Sequence, residues 1–71
     1  MLIRDYLNGR QFDVESVRFM AVAFEMTNLT LRSMQVDIPP EVVAAKIIEL
    51  ADAGERDPDR LCERTLLALQ G

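Results

Sequence analysis

Residues 13–33 read DVESVRFMAVAFEMTNLTLRS and contain neither proline nor glycine. Asp13 suits a helix N-cap, because its carboxylate can accept from the free N–H groups of the first turn. Phe12 stands at the position of a hydrophobic staple, within reach of Val17. Glu15 falls in the first turn, where the positive end of the helix dipole favours an acid. Val14, Val17, Met20, Ala21, Phe24 and Leu31 recur at spacings of three and four and form one apolar side. Asn28 lies in that stripe and reads as its wet end. Phe19, Val22, Ala23, Met26 and Leu29 form a second apolar band on roughly the opposite side, and Arg18, Glu25 and Arg32 occupy the strip between the two. A helix that is apolar almost all round is buried almost all round. The first band is expected to meet the rest of the chain. Phe19, Val22, Met26 and Leu29 then need another cover, and they are the predicted protein interface.

The segments on either side are shorter. In MLIRDYLNGRQF (residues 1–12), Leu2, Ile3, Tyr6 and Leu7 fit one or two helical turns or an extended arm, with a turn signal at Asn8-Gly9. This arm is expected to cover part of the second band. Pro39-Pro40 cannot lie inside a helix, so MQVDIPP breaks the first one. Pro40 suits the first turn of a second helix. Val43, Ala44, Ile47, Leu50 and Ala51 share one face of that helix, and Gly54 follows as a C-cap. Asp57 and Pro58 open a third helix as N-cap and first residue. Its expected inner side is Leu61, Cys62, Thr65, Ala68 and Leu69, with Leu66 at the margin; Asp59, Arg60, Glu63 and Arg64 face out. The predicted architecture is all-α: a small three-helix domain with an N-terminal arm or short helix, spanning residues 1–71 as one unit. Its helices run from about 13 to 33, 40 to 53 and 58 to 69.

A 71-residue chain allows one domain, and the core of so short a chain supplies only about 3–5 kcal/mol net without a staple or a partner. Cys62 is the single cysteine and there is no histidine, so neither an internal disulfide nor a Cys/His zinc site can be written. Oligomerisation is the common route that remains. The net charge is −4, from 12 acidic and 8 basic residues, and the basic residues are spread along the chain instead of forming the stripe that nucleic-acid binders carry. The longest apolar run, Met20 to Phe24, is far below the roughly 20 residues a membrane span needs. A lone thiol and the absence of an export signal suggest the cytoplasm.

GERDPDRLCERTLLAL (residues 54–69), preceded by EVVAAKIIELADA (residues 41–53) and by FDVESVRFMAVAFE (residues 12–25), resembles a group of short, all-helical bacterial proteins with no assigned activity. The GERDP turn and the helix after it are the most distinctive part. The resemblance implies a small cytoplasmic bacterial protein and carries over no catalytic residue.

No catalytic, cofactor-binding or metal-binding residues are assigned, and the chain is read as non-enzymatic. Asp57 and Asp59 read as capping acids, Glu25 as part of the solvated strip, and Cys62 as a packed thiol on an apolar face. A helix-turn-helix-like DNA-binding regulator using residues 41–69 is the alternative. The reading helix would then begin Asp57-Pro58-Asp59, and such helices meet DNA with their start, where these acids repel phosphate. A small interaction protein is preferred, self-associating as a homodimer or taking an unidentified protein partner, with no nucleic acid and no membrane expected.

Overall fold

α1 (Val14–Ser33), α2 (Pro40–Asp52) and α3 (Pro58–Gln70) form the domain, with a short 3₁₀ turn over Ile3–Tyr6 ahead of them. The computed structural model describes residues 3–7 and 11–70. Leu2 and the Asn8-Gly9 turn signal lie outside them. No strand occurs among the described residues.

Asp13 caps α1 as expected: its Oδ1 accepts from the Ser16 N–H at 3.3 Å. Hydrogen bonding to Ser16, from its side chain first and its backbone N–H after it, holds the Asp13 pKa below the ordinary value. α1 packs against both other helices and the 3₁₀ turn, and α2 packs against α3. At the start of α1, Phe19 meets Arg56, just ahead of α3. At its end, the Met34 sulfur meets Gln70 at the end of α3. α1 and α3 therefore run parallel, with α2 returning between them.

The buried face of α1 takes Met20, Phe24 and Leu31 from the first apolar band, as expected, but is rotated off the rest of it. It consists of Ser16, Met20, Ala23, Phe24, Thr27 and Leu31. This line runs along the seam between the two bands, on the side away from Arg18, Glu25 and Arg32. Val14, expected in the core, is 66% exposed, and Ala23, assigned to the second band, is fully buried. The reason is the cost of desolvation. Burying charged groups is far more costly than burying a hydroxyl that keeps a hydrogen bond. The Thr27 hydroxyl donates to the Ala23 carbonyl at 2.7 Å, so a threonine can sit at the centre of the core.

The arm is also placed differently from the expectation. Ile3 is fully buried, against α1 and α2. Tyr6 meets Phe24 edge-on, with ring centroids 5.8 Å apart. The arm thus seals the Phe24 side of α1 and leaves the outer positions of the second band to water. In α2, Val43, Ala44, Ile47 and Ala51 are buried as expected, and Ile48 joins them while Leu50 is half-buried. In α3, Leu61, Cys62 and Thr65 are buried, but Ala68 faces solvent.

Both helix ends ahead of the turns close in the same way. The Val36 N–H donates to Leu31 O and the Gln35 N–H to Arg32 O; likewise Glu55 donates to Leu50 O and Gly54 to Ala51 O. This paired pattern is the Schellman motif, which needs a residue of positive φ just past the helix. Gly54 supplies it at φ +114°, and Gln35 at φ +59°. α1 therefore ends at Ser33, where it was expected to end, and the left-handed Gln35 closes it ahead of the prolines.

Two predictions follow from these positions. A side chain in the left-handed region is strained, so Gln35→Gly should raise stability by about 0.5–1 kcal/mol and Gly54→Ala should lower it by about 1 kcal/mol or more. Thermal melts that move both variants the same way would contradict this. The Thr65 hydroxyl is buried without a hydrogen bond, so Thr65→Val should raise stability by about 1 kcal/mol; a lower melting temperature would show that the hydroxyl is satisfied in solution.

Candidate functional site

The four predicted interface residues do not share one environment. Val22 and Leu29 are 48% and 53% exposed. Phe19 and Met26 are half-buried, and Phe19 packs on the core. The helical turn explains the split. At about 100° per residue, Val22 and Leu29 fall within about 40° of Arg18, whereas Phe19 and Met26 lie further round, towards the buried face. The outward line of α1 reads Val14, Arg18, Val22, Glu25, Leu29, Arg32, and every one of these residues is exposed. Arg18 and Glu25 make no ion pair among the described residues.

Phe19 is covered from a direction the sequence did not suggest. The Arg56 guanidinium lies over its ring, 5.6 Å from the centroid, and donates to the Ala51 carbonyl at 3.2 Å. A cation over an aromatic face is attracted by the ring quadrupole. One arginine of the GERDP turn therefore shields the aromatic ring on α1 and also satisfies a carbonyl at the end of α2.

Glu55 organises the rest of that turn. Its carboxylate accepts from Arg64 at 3.0 Å and from the Arg56 N–H at 3.2 Å, and Arg60 lies 3.6 Å away. The Arg64 hydrogen bond is the main reason its pKa is lowered. Asp57 Oδ1 accepts from the Asp59 N–H at 3.1 Å, as an N-cap does. The carboxylates of the turn are thus engaged in holding the turn and capping α3. Arg60 and Arg64, read from the sequence as freely solvated, are tied back to Glu55. These are the arginines a DNA-reading α3 would have to present, so the geometry gives that reading no support.

Glu25 is exposed, and Cys62 is buried with a free thiol. Among the described residues no three metal-ligating side chains converge, and no helix is long and apolar enough to cross a membrane. An open groove of about 620 Å³ runs beside the outward line, between Ile3, the second half of α1 and the 36–40 loop; Leu29, Glu25 and Arg32 form part of its wall. No family model, curated protein or solved structure matches the chain.

The Glu55 cluster makes stability depend on pH with a definite sign. Its folded pKa lies below the ordinary 4.5, so the folded protein holds fewer protons there than the unfolded chain, and stability falls as pH falls. The contribution is complete above about pH 4.5 and is lost as pH drops through the lowered value. Glu55→Gln removes this dependence. Melting curves should therefore fall more steeply for the wild type than for Glu55→Gln below that pH, and parallel curves would count against the cluster.

Proposed function

We propose that this chain is a small, non-enzymatic interaction module that self-associates through the outward face of α1. The observation that carries the reading is the exposure of Val22 and Leu29 in the middle of the longest helix, whose opposite face is packed by α2 and α3. Both are aliphatic, and both stand where a soluble helix ordinarily places charged or polar residues. Covering them from solvent favours association at about 25 cal/mol per Å² of apolar surface removed from water. Met26 and Phe19 border the same face and add their remaining exposed edges. A homodimer is the simplest arrangement, because two-fold symmetry is the commonest closed form. The lone packed thiol and the resemblance of the GERDP turn and its helix to short bacterial proteins support a bacterial cytoplasmic setting.

Two acids with shifted pKa values, Asp13 and Glu55, are engaged in holding local structure, which supports the non-enzymatic reading. Each value is lowered by hydrogen bonding that holds a turn or a cap. Acid–base catalysis needs a group tuned towards neutrality beside a place for substrate.

Sedimentation equilibrium at high micromolar concentration should find the wild type dimeric. Val22→Glu with Leu29→Glu should give a monomer of unchanged helical circular dichroism, because neither side chain supports the core. A wild type that sediments as a monomer throughout that range would refute self-association.

A further inference from the structure

The outward line of α1 does more than expose two aliphatic residues: its charges are spaced to select one way of pairing. Arg18, Glu25 and Arg32 are seven residues apart, which is about 10 Å along a helix at about 1.5 Å per residue. That is too far for Arg18 and Glu25 of one chain to pair with each other. Between them stand Val22 and Leu29, and Val14 precedes them; all three are exposed.

We infer that a second copy packs its α1 antiparallel on this face, in the register that sets Arg18 of each chain against Glu25 of the other. The inference rests on the self-association proposed above and specifies its geometry. In this register the two-fold axis passes between Ala21 and Val22. Val22 meets its own counterpart across the axis, and Val14 of each chain meets Leu29 of the other. Two ion pairs flank an aliphatic centre, and the exposed line is complementary to itself. Sliding one chain by a heptad, so that the axis passes through Glu25, brings Glu25 onto Glu25 and Arg18 onto Arg32. A parallel pairing in register also sets like charges together. Like charges brought face to face cost energy, and such arrangements exclude wrong pairings. An antiparallel register with the axis between Asn28 and Leu29 also sets Glu25 against Arg32, but it carries Val22 past the end of the partner's α1 at Ser33 and leaves it uncovered. Of these arrangements, only the first joins every charge it brings together to its opposite and also covers every exposed aliphatic residue of the line with another.

Charge reversal in two separate chains tests the register. Arg18→Glu alone places acid against acid twice, and Glu25→Arg alone places base against base twice. Each single variant should dimerise at least roughly tenfold more weakly than the wild type. An equimolar mixture of the two should form a heterodimer of near wild-type affinity, because both cross-pairs are then opposite in sign. Sedimentation velocity and native mass spectrometry read both results, and circular dichroism checks that each variant stays helical. A dimeric wild type whose mixed variants do not recover, or whose Arg18→Glu variant dimerises more tightly, would overturn the register and leave self-association standing. A monomeric wild type would overturn both.

Discussion

Three charges that must stay in water set the rotation of α1, and the rest of the domain is built on that rotation. Arg18, Glu25 and Arg32 lie on one line down the helix. With that line outward, the diametrically opposite line faces in, and it is made of Ser16, Thr27 and the residues beside them. Neither Ser16 nor Thr27 is strongly apolar. Thr27 is fully buried all the same, because its hydroxyl is satisfied one turn back at the Ala23 carbonyl. Thr30 makes the same bond to Met26 O at 2.8 Å. A helix can bury threonine where it cannot bury arginine. The two apolar bands then become the two shoulders of one buried face: Phe24 and Leu31 reach in from one side, Ala23 from the other, and Met20 fills the centre.

With α1 fixed, each shoulder needs a cover, and the two covers differ in kind. The Phe24 shoulder receives apolar residues from the arm, Ile3 and Tyr6. The Phe19 shoulder receives a charged residue, Arg56, which brings its own hydrogen bond to α2. The second cover depends on the tight α2–α3 turn. Gly54 at positive φ closes α2, Glu55 then gathers Arg60 and Arg64, and Asp57 caps α3. The turn is therefore a junction among three helices, which gives a physical reason for its distinctive sequence.

The three helices were legible in the sequence because their caps and breakers are strong: Asp13, Pro40, Gly54 and Asp57-Pro58 stand where the structure uses them. The end of α1 at Ser33 was legible too, but the device that closes it was not, because Gln35 is an uncommon residue for a left-handed position. The core face of α1 was only half legible, because apolar residues surround most of the helix and its charges, more than its apolar side chains, mark which side faces out. The seven-residue spacing of Arg18, Glu25 and Arg32 was in plain view and points directly to the outward line, with Val22 and Leu29 on it. The contact between Arg56 and Phe19 could not have been found this way, since it joins residues that meet only once α2 has folded back.

The same geometry bears on what kind of association the chain can make. The short length of the chain suggested a core that needs a partner in order to close. The structure closes without one: its Cα radius of gyration is 11.0 Å, the value of about 11 Å expected for a compact domain of this size. Met20, Ile47, Leu61 and Val43 are fully buried within a single copy. An obligate dimer resembles a core cut in half, and no half-core is left open here. What α1 leaves outside is a narrow line of aliphatic and charged residues in alternation. Under the self-association proposed above, such a surface would join copies that meet and part as folded units, with charge deciding the register and modest apolar burial supplying the affinity.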